Sequence, residues 1–205
     1  LGRLDPATGQ MSEYTDKNPN DDNLVDMRGA QLESVAYSAD GVWFTGPTFV
    51  SSVALFRPKT ETFTAAPAGS GAEPMAIAID NSGDTWIVSR GTNRLGRFGL
   101  NTLGVWQWYA LPASVAGPDN IFIREANGRR EIWYSRSGVN RIGAQYVTFT
   151  GVPITQIEGE LPVSDATPWG VSVDDNGRVW IAPSGVNEAI TWNTPYFQQF
   201  LYVPS

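Results

Sequence analysis

The sequence predicts an all-β fold built from repeated four-stranded antiparallel sheets. A tryptophan recurs at positions 43, 86, 133 and 180, at intervals of 43, 47 and 47 residues. Each of these tryptophans follows a Gly-containing turn, and an apolar segment precedes each turn. A repeat of about 40 to 50 residues with four strands is typical of β-propeller blades.

The composition disfavours several function classes. The chain of 205 residues has a net charge of −7 and a sequence pI near 4.5, so we expect no nucleic-acid partner. No apolar run approaches the roughly 20 residues of a membrane span. The chain lacks Cys and His, which removes thiolate and imidazole chemistry. We expect no cofactor, and any catalysis would depend on carboxylates, Lys, Arg, Tyr, Ser or Thr.

Each repeat begins with two strands joined by an Asp-Gly or Asn-Gly type of turn. The first strand alternates β-branched with small residues, and the second carries the repeat tryptophan. A third strand, such as Leu95 to Phe98, and an outer strand complete the repeat. The predicted blades span residues 32–66, 73–112, 117–162 and 167–204, and residues 197–203 are the outer strand of the last blade.

Residues 1–14 match only the second half of a blade. Leu1-Gly2-Arg3-Leu4 aligns with Leu95-Gly96-Arg97-Phe98, and Met11 to Tyr14 follows as an outer strand. A polar loop, 15–31, leads to the first full repeat. We therefore expect about four and a half blades in an incomplete ring. Such an arc exposes apolar faces and strand edges, so we expect a protein partner or further blades of the same polypeptide to complete it.

The repeats resemble those of the virginiamycin B lyase, or streptogramin lyase, family of β-propellers. The resemblance rests on Pro168 to Asp174, on Trp43-Phe44-Thr45, and on Leu1 to Pro6 with Thr8-Gly9. It implies a propeller fold over nearly the whole chain. For the proven lyases it also implies Mg²⁺-dependent opening of a cyclic depsipeptide by elimination, with a catalytic His and Glu residues around the metal.

The chain departs from the catalytic pattern of that family. It has no His, and the Glu that closes the family's Trp-Phe-Thr-Glu motif is replaced by Gly46, Ser89, Arg136 and Pro183 in the four repeats. No catalytic residue can therefore be assigned, although the catalytic His and Glu of a lyase could lie in blades outside this chain. A lactonase-type propeller is a further alternative, and it requires a Glu/Asn/Asp metal cluster.

The loops on one face of the predicted propeller supply candidates for ligand or partner binding. Two similar segments, Ser89 to Arg94 and Ser135 to Arg141, place an Arg at equivalent positions, where the pair could clamp an anionic or carbonyl group. The alternative is that these side chains cap loops or form ion pairs between blades. The candidates on this face are Arg90, Asn93, Arg136, Asn140, Trp169, Glu73, Asp119 and Glu188.

Aromatic residues and one polar loop complete the candidates. The four repeat tryptophans are interpreted as packing between blades. Trp106 and Trp108 share an outer strand and could form an edge patch for a partner. Asp16, Asn18 and Asn20 have the opening spacing of a calcium loop, but Asp21 and Met27 stand where that loop needs Gly and Glu.

These observations favour a non-catalytic propeller that serves as an interaction or scaffold module. The absence of Cys and the family resemblance suggest a periplasmic or extracellular location. A lyase-like metal-dependent enzyme with its catalytic blades outside this chain is the alternative. A small-ligand-binding propeller that uses the Arg-bearing loops is a weaker one.

Overall fold

A computed structural model describes residues 1–14, 31–46, 51–99, 102–186 and 189–193. The described residues contain no α-helix, and a short 3₁₀ turn, Ser137–Val139, is inserted between two strands. No helix in this described part is long and apolar enough to cross a membrane. The predicted outer strand 197–203 and the predicted calcium loop lie outside the described residues.

The strands form one two-stranded sheet, three four-stranded sheets and one sheet with three described strands. The two-stranded sheet contains β1 (Gly2–Leu4) and β2 (Met11–Glu13). The first four-stranded sheet contains β3 (Ser34–Ser38), β4 (Gly41–Thr45), β5 (Ser52–Arg57) and β6 (Thr62–Pro67). The second contains β7 (Pro74–Ile79), β8 (Thr85–Ser89), β9 (Arg94–Phe98) and β10 (Gln107–Ala110). The third contains β11 (Asn120–Ala126), β12 (Arg129–Arg136), β13 (Arg141–Val147) and β14 (Pro153–Glu160), and the fourth contains β15 (Pro168–Val173), β16 (Arg178–Pro183) and β17 (Ile190–Asn193).

Every sheet is an antiparallel meander in which each strand pairs with its neighbour in sequence. Tight turns make this possible because they reverse the chain within two or three residues. Asn127 and Gly128 between β11 and β12 both have positive φ, 54° and 74°, as the two central residues of a type I′ hairpin turn require. The prediction of an all-β fold with four-stranded antiparallel sheets is confirmed.

The sheets stack in chain order through apolar clusters that neighbouring sheets share. β3 packs against β7, β7 against β11, and β11 against β15. The two-stranded sheet lies at one end, where Leu1 and Tyr14 pack on the cluster that contains Phe44 and Phe56. Within the described residues the sheets form an open row and do not close into a ring.

The repeat tryptophans lie on the second strand of each sheet. Trp43, Trp86 and Trp133 are buried in the clusters between sheets, as expected for packing between blades. Trp180 occupies the same position in the fourth sheet but is 41% exposed. The difference arises because no described sheet covers that face of the fourth sheet.

A polar seam of buried side chains joins the second and third sheets. Arg97 Nη2 lies 2.6 Å from Asp84 Oδ2, and both side chains are fully buried. Arg97 Nη2 also donates to the Phe149 carbonyl at 3.3 Å, and Arg130 Nη1 donates to the same oxygen at 2.6 Å. Arg130 Nε lies 3.1 Å from Asp80 Oδ2. The β13–β14 turn of the third sheet is therefore held against the second sheet by charge-assisted hydrogen bonds.

The glycine of the third strand is required by an aromatic side chain that lies over it. A Cβ at Gly143 would clash with Tyr134 Oη and would lie 2.7 Å from the Ile157 carbonyl. We expect Gly143→Ala to lower the free energy of unfolding by about 1–3 kcal/mol, because a packed core cannot absorb the extra methyl group. Urea denaturation measures this loss.

The matched control is the equivalent glycine of the two-stranded sheet. A Cβ at Gly2 would meet only Met11 Cε, at 3.5 Å, which is an ordinary contact. Gly2→Ala should therefore stay within about 0.5 kcal/mol of the unmodified chain. Equal effects of the two substitutions would contradict this packing explanation.

Candidate functional site

Four of the predicted binding residues, Arg90, Asn93, Asp119 and Asn140, lie on the loop face, which we define by segments 90–93, 111–119, 137–140 and 161–167. Between the second and third sheets this face forms a cleft of about 470 Å³. Arg90 follows β8, Asp119 precedes β11, and Ser137 follows β12, so three separate loops contribute polar side chains to one place. The remaining lining residues are Val115, Ala116, Gly117 and Gly138.

Asp119 is the centre of the hydrogen bonds in this loop-face cleft. Its Oδ1 accepts from Arg90 Nη2 at 2.6 Å, and its Oδ2 accepts from both the backbone N–H and the hydroxyl of Ser137 at 2.6 Å. The Asp119 side chain is 5% exposed and that of Arg90 is 36% exposed. Asp119 therefore fixes the loops of two sheets, and Arg90 is the cation that solvent reaches.

Arg136 differs from Arg90 although the two were aligned in sequence. The side chain of Arg136 is fully buried, and its terminal nitrogens donate to the carbonyls of Ala116 at 2.6 Å and Pro112 at 3.1 Å. Its Nε lies 2.9 Å from Glu158 Oε2, close enough for an ion pair but without the N–H direction of a hydrogen bond. In this structure the two arginines do not face one cleft, and a clamp formed by both stays a prediction.

A buried acid and a buried phenol accompany Arg136. The Tyr134 hydroxyl donates to Glu158 Oε2 at 2.9 Å, and the side chain of Glu158 is 2% exposed. Burial, followed by the negative charge of Glu158, raises the pKa of Tyr134 well above its ordinary value. These groups lack contact with solvent, so they are arranged for structural support and cannot reach a substrate without rearrangement.

The raised pKa of Tyr146 predicts that the fold loses stability at alkaline pH. Burial, with the Glu131 carboxylate as the second cause, raises the pKa of Tyr146 to about 12. Tyrosines of the unfolded chain ionise near pH 10. Because the unfolded state then binds fewer protons than the folded state, we expect stability to fall as pH rises from about 10 towards 12 and to be unaffected by Tyr146 below pH 10.

Urea unfolding between pH 8 and pH 11.5 tests this expectation. Tyr146→Phe should make the alkaline fall in stability less steep. Tyr37→Phe is the control, because Tyr37 is 73% exposed and should leave the slope unchanged. An identical slope in all three proteins would show that Tyr146 does not contribute to the pH dependence.

Asn93 and Asn140 occupy equivalent turns between the second and third strands of their sheets. Both have φ of 54°, a left-handed conformation that Asn tolerates well. Asn93 Nδ2 donates to the Pro112 carbonyl at 3.0 Å, and Asn140 Nδ2 donates to the Val163 carbonyl at 2.8 Å. Each side chain thus ties its turn to the segment that leaves the outer strand, and a ligand-binding role for either residue stays a prediction.

The other loop-face candidates do not converge with the cleft. Glu73 has an exposed side chain and a left-handed φ of 46°, and its carbonyl accepts from the Arg90 N–H at 3.1 Å. Trp169 lies at a register shift in β15, and the residue is 44% exposed. Its carbonyl accepts from the Ser135 hydroxyl at 2.8 Å. Glu188 lies outside the described residues.

The predicted aromatic edge is largely turned inward. Trp106 precedes β10 because the chain turns at Leu103 and Gly104, which both have positive φ, so the outer strand starts later than residue 104. Trp106 and Trp108 stack with ring centroids 5.5 Å apart and cover Gly96. A cleft of about 410 Å³, lined mainly by apolar and aromatic side chains, lies beside Trp106. A partner-binding role for this edge stays a prediction.

An acceptor for the tryptophan indole is a feature that the sequence interpretation missed. Trp43 donates its indole N–H to Ser38 at 3.1 Å, Trp86 to Asp80 at 2.8 Å, and Trp180 to Asp174 at 3.1 Å. Asp80 and Asp174 each stand six residues before their tryptophan. That repeated spacing is visible in the sequence and assigns these aspartates to structural support of the hairpin.

The described residues do not fit the magnesium site that the family resemblance implies. Among them there is no group of three His, Cys, Asp or Glu side chains that could hold a metal ion. Two of the residues that replace the family Glu are engaged within the protein, since the Ser89 hydroxyl donates to the Ala72 carbonyl and Arg136 is buried as described above.

Comparisons with known proteins connect this arrangement to solved propellers. No protein-family model matches the sequence, and no curated protein matches it. Virginiamycin B lyase from Staphylococcus aureus is similar with a TM-score of 0.71 and 20% identity, over 93% of this chain and 58% of that chain. A catalytically inactive His-to-Ala variant of that lyase with quinupristin is similar with a TM-score of 0.69 and 21% identity, over 95% of this chain and 62% of that chain. The periplasmic gluconolactonase PpgL of Pseudomonas aeruginosa has a TM-score of 0.57 and 12% identity, over 79% of this chain and 49% of that chain.

These similarities define the class of the protein. The chain has a β-propeller fold with an incomplete ring, and the predicted resemblance to virginiamycin B lyase is confirmed at the level of the fold. The chain spans about three-fifths of the length of the lyase structures that it matches. At identities of 20% and 21%, these similarities establish the fold but not an activity, because one propeller fold supports many unrelated activities.

Proposed function

We propose that this chain is a non-catalytic β-propeller module that acts in protein association, as a subunit or part of a larger extracytoplasmic protein. The observation that carries the proposal is the state of the polar groups on the loop face and next to it. Asp119, Arg136 and Glu158 are buried and bonded to neighbouring protein groups. These contacts join loops of adjacent sheets, so the same residues that could have formed a reactive site stabilise the scaffold.

The chemistry of the described residues supports a non-catalytic role. A general acid or base must reach the atom from which it takes a proton, and Glu158 and Tyr134 are enclosed by protein. Arg90 is accessible but is already neutralised by Asp119 at 2.6 Å. An arginine in such a pair orients a loop more readily than it stabilises a developing negative charge.

The two ends of the row of sheets support an association role. The fourth sheet exposes Trp180 at one end of the row. At the other end the first four-stranded sheet exposes Val35 and Tyr37. Equivalent side chains of the inner sheets are packed between blades. Exposed apolar faces of this kind are usually covered by another protein surface. The proposal therefore includes further blades or a protein partner that completes the ring.

A lyase-like metal-dependent enzyme is the second candidate. It is favoured by the TM-score of 0.71 with virginiamycin B lyase. The match covers 58% of that lyase chain, so blades that correspond to the unmatched part could carry a catalytic His and Glu. A small-ligand-binding propeller is a third candidate. Its best site is the loop-face cleft, where the exposed part of Arg90 could bind a carboxylate.

The location that we propose is periplasmic or extracellular. The absence of Cys is compatible with an oxidising compartment but does not require one. The periplasmic gluconolactonase among the similar structures offers a precedent for this fold outside the cytoplasm. Fractionation of the source cells, followed by detection of peptides from this chain, tests the location.

The proposed function is tested on the protein isolated from its native source. We expect no Mg²⁺-dependent loss of quinupristin when the protein is incubated with it, and the same result after treatment with EDTA. We also expect an intact mass above 22.3 kDa or a co-purifying protein partner. Turnover of quinupristin that requires Mg²⁺ would contradict the non-catalytic role and support the lyase alternative.

A further inference from the structure

The first four-stranded sheet exposes a position that every later sheet buries. In β3, Val35 pairs with Phe44 of the tryptophan strand, and the same register position in the later sheets is held by Ile77, Ile121 and Val171. Val35 is 61% exposed, whereas those three residues are 5%, 7% and 7% exposed. Tyr37 is also largely exposed, while its counterpart Val173 in the fourth sheet is buried.

The two-stranded sheet has an unfilled edge beside these residues. β1 pairs with β2, and its sequence aligns with β9, which pairs with both β10 and the tryptophan strand β8. Within the described residues β1 has a partner on one side only, and Gly2–Leu4 is exposed throughout. Because β1 corresponds to the third strand of a blade, it lacks the first and second strands of that blade. The second strand would pair with the free edge of β1, and the first strand would cover Val35 and Tyr37.

We propose that this hairpin slot, formed by the free edge of β1 and by Val35 and Tyr37 of β3, binds a β-hairpin that is continuous with β1 in the polypeptide. The hairpin has the pattern of this chain's own first two strands, with alternating apolar residues, an Asp or Ser at the turn, and a tryptophan in the second strand. The inference rests on the proposed completion of the ring and specifies what completes it at this end.

Three interfaces already present in the chain support this occupant. Between each pair of neighbouring full sheets, apolar side chains of one sheet pack on the inner strand of the next. The slot continues this series by one step, because Leu1 and Tyr14, at the ends of the two-stranded sheet, already pack on the first four-stranded sheet. A strand also satisfies the backbone N–H and C=O groups along β1, which a helix or an irregular loop would leave unpaired.

The connection within the other sheets favours a continuous hairpin. In the second sheet the tryptophan strand ends at Ser89 and the third strand begins at Arg94, and in the third sheet the corresponding residues are Arg136 and Arg141. A loop of four residues therefore suffices to join the hairpin to β1. Such a short tether gives a high effective concentration, so the hairpin does not need high intrinsic affinity.

A graft of the chain's own hairpin tests the inference. Because Leu1 aligns with Leu95, a copy of residues 74–94 placed directly before Leu1 has the natural loop length. We expect a rise in Tm of about 4 °C or more and a slowing of amide hydrogen exchange at Gly2–Leu4 by about tenfold or more. Both are measured on the full chain with and without the graft.

Two variants distinguish specific seating from a general effect of added chain. Trp86→Asp in the grafted copy alone, and Val35→Asp in the recipient sheet, should each abolish the protection of Gly2–Leu4. The unmodified graft would overturn the inference if it left exchange at these amides unchanged, or if both variants protected them equally. If the graft fails to protect Gly2–Leu4 while the native protein has a partner and does not turn over quinupristin, the hairpin inference is refuted and the proposed function stands. If the graft protects these amides while the native protein turns over quinupristin, the hairpin inference stands and the proposed function is refuted.

Discussion

Arg97→Ala is expected to lower the free energy of unfolding by about 3–5 kcal/mol, because it leaves the Asp84 carboxylate in the polar seam without its buried counter-charge. Both side chains are fully buried, and the closest approach between them is 2.6 Å. Arg97 also donates to the Phe149 carbonyl, so its loss loosens the contact between the second and third sheets. Equilibrium urea unfolding, followed by tryptophan fluorescence, measures the effect.

An exposed arginine and a double mutant serve as controls for this prediction. The side chain of Arg57 is exposed and donates to the Thr64 hydroxyl at 2.9 Å, so Arg57→Ala should cost less than about 0.5 kcal/mol. The Arg97→Ala and Asp84→Ala double mutant should lose less stability than the sum of the single mutants, since the second substitution removes the orphaned charge. A loss at Arg97 no larger than at Arg57 would contradict the role of the seam.

The second large effect compares two tryptophans at equivalent repeat positions. Trp86→Ala should cost about 3–5 kcal/mol, because it opens a large cavity between two sheets. Trp180→Ala should cost less than about 1 kcal/mol, because Trp180 is 41% exposed at the end of the row. Both indoles donate to an Asp six residues earlier, so the hydrogen bond is matched and burial is the variable.

Thermal and urea unfolding of both variants measure this difference. Asp80→Asn and Asp174→Asn remove the charge of each indole acceptor, and Asp80 should be the more sensitive position because it is buried and also lies 3.1 Å from Arg130 Nε. Similar losses for Trp86→Ala and Trp180→Ala would mean that Trp180 is covered in solution. That result would contradict the open end of the fourth sheet.

The fold class was predictable because its determinants are local. Gly-containing turns fix hairpins within a few residues, and the tryptophan period shows how many hairpins follow one another. Trp106 was predicted to share an outer strand with Trp108, but β10 begins only at Gln107. Leu103 and Gly104 both have positive φ, so the chain is still turning just before Trp106.

The candidate site was less predictable because side-chain direction depends on neighbouring sheets. Arg90 and Arg136 have almost the same local sequence, yet Arg136 is drawn inward by Glu158, which lies on a strand 22 residues later. Asp119 was identified as a loop-face residue, but its bonds to Arg90 and Ser137 require three loops to meet. The role of Asp80 and Asp174 was visible as a repeated spacing and could have been inferred from the sequence.

The chain is a row of propeller blades, and we propose that its end faces are covered in the native protein. Hydroxyl-radical footprinting of Tyr37 and Trp180, in the natively isolated protein and in the 205-residue chain alone, tests it most directly. Trp86, buried between sheets, serves as the internal reference and should be unreactive in both. We predict that Tyr37 and Trp180 react in the isolated chain and are protected in the native protein. Equal reactivity of these two residues in both preparations would contradict the account.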